Sequence, residues 1–130
     1  MRLLVDTNVL LEVLLEQAKA QEARDLLQKT NAHQLFVSNY ALHSIGLILL
    51  RRKQADMFRQ FLFDVEAGMT MVSLVLEELK DVIDASTNFN LDFDDAYQYV
   101  TAEKFGLTIV SFDADFDRTV RGRRTPAALS

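Results

Sequence analysis

The stretch LLVDTNVL, residues 3–10, places a carboxylate directly between two apolar runs. The run at 3–5 is too short for a helix, so it predicts a buried β-strand. Apolar residues at helical spacing follow at Val9, Leu10, Val13 and Leu14, which predicts a helix. Asp6 therefore stands between a strand and a helix. It can cap the helix or form one wall of a metal site, and its partners elsewhere in the chain decide between these roles.

Short apolar runs and helical periodicity alternate through the rest of the chain. Further strands are predicted at 34–37, 69–72 and 107–110. Helices are predicted at 40–52, at 54–66, at 74–85, and from Asp92 or Asp94 to Gly106. The helix at 40–52 is apolar on nearly every face, which predicts that it is buried. This alternation is typical of an α/β domain with a mainly parallel sheet, and we expect residues 1–130 to form a single domain.

Composition limits the possible functions. With 14 basic and 19 acidic residues, a uniformly basic nucleic-acid surface is disfavoured, although a local basic rim is not. The absence of cysteine removes disulfides, thiolate zinc sites and thiol catalysis, and fits a reducing cytoplasm. We expect a cytoplasmic protein without membrane association, since no leader or long apolar segment is present. Motifs of nucleotide-cofactor, zinc-protease and serine-hydrolase sites are missing.

Carboxylates follow two of the predicted strands. Asp6 ends the first, and Asp113 comes shortly after Val110 of the fourth, so both are expected at the same edge of a parallel sheet. The DFDD segment at 92–95 adds further acids at the start of a helix. Taken alone, Asp6 is explained equally well as the cap of the helix that follows it, and Asp92 or Asp94 as the cap of theirs. Gathered carboxylates repel each other unless a proton or cation lies among them, so their joint placement predicts an acidic pocket suited to a hard divalent cation.

Four motifs in order make the sequence resemble the PIN domain, the fold of VapC-type toxins and related metal-dependent ribonucleases. VDTNV at 5–9 resembles the first motif of that family. The pattern DDA…A…GLT over 94–108 resembles its late "DA…A…GL" segment. IVSFDADF at 109–116 resembles "LVTxDxDF", and RTP at 124–126 resembles the Thr-Pro that follows a last edge strand in many members.

The resemblance implies a three-layer α/β/α sandwich whose mainly parallel central sheet has about four to five short strands. It also implies an endoribonuclease that hydrolyses RNA phosphodiester bonds with Mg²⁺ or Mn²⁺. Asp6, Asp95 and Asp113 would be the catalytic residues that hold the metal, with Asp115 as a further ligand. By itself, Asp115 is more simply interpreted as a surface acid.

The resemblance assigns supporting polar residues and also exposes one departure. Thr7, Asn8 and Ser111 would orient the metal ligands. The family usually has a Glu early in the helix after the second strand, where this chain has Ser44, with His43 one residue away. Neither replaces the missing charge, although Ser44 could support the metal site by hydrogen bonding and His43 could substitute as a ligand to a borderline metal such as Mn²⁺.

Partners also follow from the resemblance: an RNA substrate, a small antitoxin inserted into the acidic groove, and a second copy of the chain. The stripe formed by Phe58, Phe61 and Leu62 is interpreted as core or as a dimer face. Four basic residues near the end of the chain could track RNA phosphates or form a solvated end; they are Arg118, Arg121, Arg123 and Arg124.

Two alternative functions belong to different classes. Without the usual Glu, the chain could be a degenerate PIN-like module that binds RNA or protein without cleaving it. A phosphoryl-accepting receiver domain also has an acidic pocket on a parallel sheet. That domain needs an acceptor Asp at the end of a middle strand and a late Lys, whereas this chain has Ser73 after residues 69–72 and no Lys after Lys104.

Overall fold

Four parallel strands form the central sheet of the protein, of which the computed structural model describes residues 1–29 and 31–129. The strands are β1 (Arg2–Val5), β2 (Gln34–Ser38), β3 (Thr70–Val72) and β4 (Thr108–Val110). Their order across the sheet is β3-β2-β1-β4, and Leu4 of β1 pairs with Phe36 on one side and with Ile109 on the other. The predicted parallel sheet is confirmed, with each strand lying where the apolar runs placed it.

Alternating side chains along the strands divide the core into two layers. Leu3 and Val5 pack on one face of the sheet and Leu4 on the other, and all three are fully buried. The first face is covered by α1 (Thr7–Leu14), α2 (Ala20–Leu27), α3 (Asn39–Arg51) and α4 (Ala55–Gly68). The second face is covered by α5 (Leu79–Phe89) and α6 (Phe93–Phe105), and the short helix α7 (Pro126–Leu129) lies against α2. The predicted three-layer α/β/α sandwich is therefore confirmed.

The strand order places a binding crevice at a defined edge. β1 lies between β2 and β4. The chain therefore adds β2 and β3 on one side of β1 and places β4 on the other side. Ligands of open parallel sheets bind beyond the carboxyl ends of the strands at such a reversal of strand order. Asp6 directly follows β1, and Ser111 directly follows β4. The topology therefore brings the ends of these two strands to one crevice.

Helix α6 carries further acids to the same crevice and begins where the sequence predicted. Asp92 is its N-cap, and its carboxylate accepts a hydrogen bond from the backbone nitrogen of Asp95 at 2.9 Å. The helix ends at Gly106, which adopts a left-handed conformation with φ of 65°. Glycine is favoured there because it has no Cβ to clash with the backbone.

The helix predicted at 74–85 begins later and ends later than expected. A single 3-10 turn, Leu76–Glu78, precedes α5, and α5 continues to Phe89. The backbone nitrogen of Leu74 donates to the hydroxyl of Tyr97 at 3.1 Å, which holds this residue to the neighbouring helix α6. Asn90 then ends α5 with a φ of 54°, a left-handed conformation that Asn tolerates better than most residues.

One expectation about the packing of the helices is corrected. The predicted all-round burial of the helix at 40–52 is wrong, since Leu47 and Leu50 of α3 are 43% and 56% exposed. Only the side of α3 that faces the sheet and its neighbours is covered. In the predicted apolar stripe of α4, Phe61 belongs to the core, whereas Leu62 is 37% exposed.

The end of the chain adds one isolated bridge to the sheet. The backbone nitrogen of Arg124 donates to the carbonyl of Ile109 at 2.8 Å, and its carbonyl accepts from Ser111 at 3.0 Å. Pro126, which has no N–H to donate, then begins α7. None of the helices in the described part of the chain is long and apolar enough to cross a membrane.

We predict that Gly46→Leu destabilises the fold because α3 and α4 approach closely there. A Cβ at Gly46 would lie 2.9 Å from the end of the Phe58 ring. Overpacking of this kind typically costs about 1–3 kcal/mol of unfolding free energy, which urea denaturation would measure. The double variant Gly46→Leu/Phe58→Ala should recover part of the loss relative to Phe58→Ala alone. Strictly additive effects would contradict the proposed contact.

Candidate metal centre

An acidic cleft of about 300 Å³ lies at the carboxyl ends of β1 and β4. Five carboxylates line it: Asp6, Asp92, Asp94, Asp95 and Asp113. Of the residues that the structure describes, no lysine or arginine lines this cleft. The cleft therefore concentrates negative charge without a neighbouring side-chain cation to offset it.

Asp6 is both a helix cap and a buried member of this cleft. One of its oxygens, Oδ1, accepts hydrogen bonds from the backbone nitrogen of Thr7 at 2.8 Å and from Nε2 of Gln98 at 3.0 Å. The other, Oδ2, accepts from the hydroxyl of Ser111 at 2.7 Å. Burial raises the pKa of Asp6, and these hydrogen bonds oppose that change. Capping and clustering, which the sequence left as alternatives, are thus both present.

Asn8 and Ser111 fix the turn after β4 against the start of α1. Asn8 donates through Nδ2 to the hydroxyl of Ser111 at 3.0 Å, and its Oδ1 accepts from the backbone nitrogen of Phe112 at 3.1 Å. The Ser111 hydroxyl also accepts from the backbone nitrogen of Asp113 at 2.9 Å. These contacts place Asn8 and Ser111 where they support the orientation of Asp6 and Asp113.

Asp95, Asp113 and Asp115 are close enough to share a cation. One oxygen from each lies within 4.8 Å of the others. Asp113 also caps the following 3-10 turn, accepting from the backbone nitrogen of Asp115 at 2.8 Å. Asp115 is partly withdrawn from the cluster, since its side chain is 51% exposed and pairs with Arg118 at 2.9 Å.

The buried carboxylate of Asp95 is only partly satisfied by hydrogen bonds. Its Oδ2 is buried and has no hydrogen-bond partner among the residues that the structure describes. Burial raises the pKa of Asp95 to about 8, assisted by a hydrogen bond with Asp113 and by the charges of Asp113, Asp92 and Asp6. A proton or a cation is needed to balance this group at neutral pH, and the oxygen donors around it fit a hard divalent cation.

Helix α3 presents Ser44, rather than His43, to the cleft. Ser44 is one of the lining residues, whereas His43 is exposed and does not line the cleft. Tyr40, one turn earlier on α3, also lines the cleft and donates its hydroxyl hydrogen bond to Asp94. That interaction raises the pKa of Tyr40 to about 12. Sequence reasoning missed Tyr40 because nothing in its local pattern indicates that it faces an acid from α6.

Gln98 is the second lining residue that sequence reasoning missed. It lies three residues after Asp95 on α6, is 2% exposed, and donates to Asp6. Its carbonyl oxygen, Oε1, is buried and has no partner within the described structure. The i, i+3 spacing from Asp95 was the available signal, since residues at that spacing share a helix face.

The arginines near the end of the chain make contacts within the protein. Arg118 donates to the carbonyls of Phe89 and Asn90, Arg121 to that of Leu107, and Arg123 to that of Ser111. Arg123 also pairs with Asp117 at 3.2 Å. Arg124 contributes backbone pairing to the sheet. Phosphate binding by these four arginines stays a prediction, and it would compete with the contacts that three of them already make.

Comparison with known proteins identifies the family and the fold. The sequence matches the PIN domain family over residues 3–122. No curated protein is significantly similar to the chain in sequence.

Several solved structures have a similar fold at low sequence identity. The first is VapBC2 from Rickettsia felis bound to a DNA fragment from its promoter, with a TM-score of 0.77 and 12% identity, covering 95% of this chain and 96% of that one. VapC20 from Mycobacterium tuberculosis, a sarcin-ricin loop cleaving toxin, has a TM-score of 0.76 and 18% identity, covering 94% and 99%. A toxin–antitoxin complex from Klebsiella pneumoniae has a TM-score of 0.75 and 20% identity, covering 95% and 96%. These similarities establish the fold.

We predict that the stability of the metal-free protein falls as the pH rises. Asp95 has a pKa of about 8 in the folded protein against an ordinary value of 3.8. Between these values the unfolded chain releases this proton while the folded chain keeps it. The free energy of unfolding should therefore decrease by up to about 1.4 kcal/mol per pH unit across this window and level off above it.

Urea denaturation in chelator between pH 4 and pH 9 would measure this slope. Asp95→Asn should remove most of it, so the variant would resemble the unmodified protein near pH 4 and exceed its stability near pH 9. Asp84→Asn, on the exposed surface of α5, controls for the loss of one carboxylate. If the free energy of unfolding changed equally with pH in the unmodified protein and in Asp95→Asn, Asp95 would not be the group responsible for the slope.

Proposed function

The chain belongs to the PIN domain family, and on that premise we propose that it is a metal-dependent endoribonuclease that hydrolyses RNA phosphodiester bonds. The observation that carries the proposal is the buried carboxylate of Asp95. Its Oδ2 has no partner among the described residues, and one of its oxygens lies within 4.8 Å of oxygens of Asp113 and Asp115. A divalent cation would neutralise the negative charge of this buried carboxylate and its neighbours.

The donor atoms around the cleft favour Mg²⁺ or Mn²⁺ as the cation. They are carboxylate, hydroxyl and amide oxygens, and the chain has no cysteine. His43 is exposed and outside the lining, so no imidazole joins the described residues of the cleft. Hard oxygen donors suit Mg²⁺ and Mn²⁺ better than softer transition metals.

The residues of the cleft divide into holding and orienting groups. Asp95 and Asp113 would hold the cation, with Asp115 as a further ligand once it leaves its surface pair with Arg118. Asp6 would be a ligand as well, and its bonds to Thr7, Gln98 and Ser111 fix its orientation; Asn8 would support Ser111 in turn. When bound, the cation supplies charge neutralisation at the phosphodiester and lowers the pKa of water for in-line attack.

Electrostatics supports the role of the cation in admitting RNA. The chain has a formal net charge of −5, and no described lysine or arginine lines the cleft. A phosphodiester would be repelled by the cluster unless a divalent cation offset the carboxylates. RNA is proposed as the substrate because of the family, and because the similar protein from M. tuberculosis is described as cleaving the sarcin-ricin loop.

We further propose that the protein is the toxin of a toxin–antitoxin pair. The similar solved structures include a toxin–antitoxin complex and VapBC2, which support an antitoxin as partner. A homodimer is proposed as the assembly because of the family. The antitoxin would insert into the acidic groove.

A second candidate function is a degenerate PIN-like module that binds RNA or protein without cleaving it. The observation that favours it is Ser44, which lines the cleft at the place where the family usually has Glu. Such a module would retain the fold and the groove, and it would lack metal-dependent cleavage.

We predict that the purified protein cleaves RNA in Mg²⁺ or Mn²⁺ and is inactive in chelator. Asp95→Asn should reduce the rate by more than about 100-fold, since even residues that only support metal ligands contribute 10–100-fold. Structured and single-stranded RNAs would be incubated with each protein, and products followed on denaturing gels. Asp84→Asn, outside the cleft, serves as the matched carboxylate control. Cleavage that is equal with metal, with chelator and in Asp95→Asn would come from a contaminating nuclease and would refute the enzyme.

We predict that Ser44→Glu increases metal affinity and the cleavage rate at limiting metal. The variant returns a carboxylate to a position that lines the cleft, so the cation gains a charged ligand. It should also lower the stability of the metal-free protein, because another acid joins the cluster. Calorimetric titration with Mn²⁺ and thermal melts in chelator would measure the two effects. Ser44→Ala controls for loss of the hydroxyl, and unchanged affinity in Ser44→Glu would show that this position does not face the cation.

A further inference from the structure

Gln98 is the most deeply buried polar side chain that lines the acidic cleft, and the proposed function explains only its amide nitrogen, which orients Asp6. It is 2% exposed, on the face of α6 that also carries Asp95. Burying an amide is unfavourable unless its donors and acceptor are paired. Its nitrogen is paired with Asp6, and its oxygen has no partner in the described structure.

The contact with Asp6 fixes which way the amide of Gln98 points. The Oδ1 atom of Asp6 already accepts from the backbone nitrogen of Thr7, so this capping oxygen acts as an acceptor. The Gln98 atom 3.0 Å from it must therefore be the nitrogen, because two acceptor oxygens would repel each other. The orientation of the unpartnered oxygen, Oε1, thus follows from the chemistry of its neighbour.

Two residues that line the same cleft therefore each carry a buried oxygen with no described partner. Asp95 Oδ2 and Gln98 Oε1 belong to residues three apart on α6, both residues line the cleft, and neither oxygen has a described donor. An unsatisfied buried acceptor typically costs about 1–3 kcal/mol. A cation is one group that satisfies carboxylate and amide oxygens together, and hard divalent cations use both in proteins.

We propose that Gln98 completes the cation site: its amide nitrogen donates a hydrogen bond to Asp6, and its amide oxygen coordinates the bound cation. This inference rests on the proposed function, because it needs a divalent cation in the cleft. Gln98 would then supply from α6 an oxygen ligand that the family usually places on α3, where this chain has Ser44. An amide oxygen adds a ligand without adding another negative charge beside Asp6.

A purely structural role for Gln98 makes different predictions. If the side chain only orients Asp6, its nitrogen is the important atom, and replacing the amide by a carboxylate should be as harmful as removing it. If the oxygen faces the cation, Gln98→Glu keeps an oxygen ligand and adds charge, whereas Gln98→Leu loses both functions. Comparison of these two variants separates the contributions of the two amide atoms.

The test is calorimetric titration with Mn²⁺, with the Mn²⁺-induced rise in Tm as a second readout. Gln98→Leu should bind Mn²⁺ about 10–100-fold more weakly than the unmodified protein. Gln98→Glu should bind at least as tightly as the unmodified protein, while its metal-free Tm is lower. Gln54→Leu is the matched control, since Gln54 also has a buried Oε1 with no partner among the described residues but lies at the start of α4 and outside the cleft. Its Mn²⁺ affinity should be unchanged.

The outcomes distinguish this inference from the proposed function. Failure of the unmodified protein to bind millimolar Mn²⁺ would overturn both. Binding by the unmodified protein that Gln98→Leu does not weaken, or Gln98→Glu binding as weakly as Gln98→Leu, would overturn the inference alone. Where Gln98→Leu lacks a cooperative thermal transition, Gln98→Met, which keeps the length of the side chain, takes its place.

Discussion

The burial of one carboxylate, Asp6, is the constraint on which the arrangement of the cleft depends. An ionised carboxylate removed from water must be surrounded by donors. Here those donors come from α1, α6 and the turn after β4, so satisfying Asp6 joins three separate parts of the chain. The Ser111 hydroxyl in turn accepts hydrogen bonds from Asn8 and from the backbone nitrogen of Asp113. The hydrogen bonds that stabilise Asp6 therefore also position the acids used by the candidate metal centre.

The other acids of the cleft repel one another. Asp95 lies close to Asp113, and burial together with neighbouring charge raises its pKa to about 8. The folded metal-free protein thus holds its acids in an arrangement that disfavours their full ionisation. Binding a cation would remove this cost, which couples occupancy of the site to stability. The same unfavourable charge would favour binding of a divalent cation.

Local chemistry explains which features the sequence could predict. Strand runs, the cap at Asp92 and the stop at Gly106 depend on residues adjacent in the chain, and the structure confirms them. The meeting of Asp6 with the turn after β4 followed from the general geometry of parallel sheets. Gln98 and Tyr40 could not be predicted in the same way, because their importance depends on partners 92 and 54 residues away. The exposure of Leu47 likewise depends on how far neighbouring elements cover α3.

The effect of having Ser44 where the family usually has Glu depends on whether the charges or the oxygen ligands of the cation site are counted. By charge, the cleft lacks one carboxylate of the family pattern, which favours a weaker or inactive site. By donors, Gln98 adds a buried oxygen from α6, three residues after Asp95, and this oxygen has no described partner. A cation held by fewer charges binds less tightly, yet the metal-free protein also suffers less repulsion among its acids. Loss of a charged ligand from α3 is therefore compatible with a functional site, provided that the amide of Gln98 faces the cation.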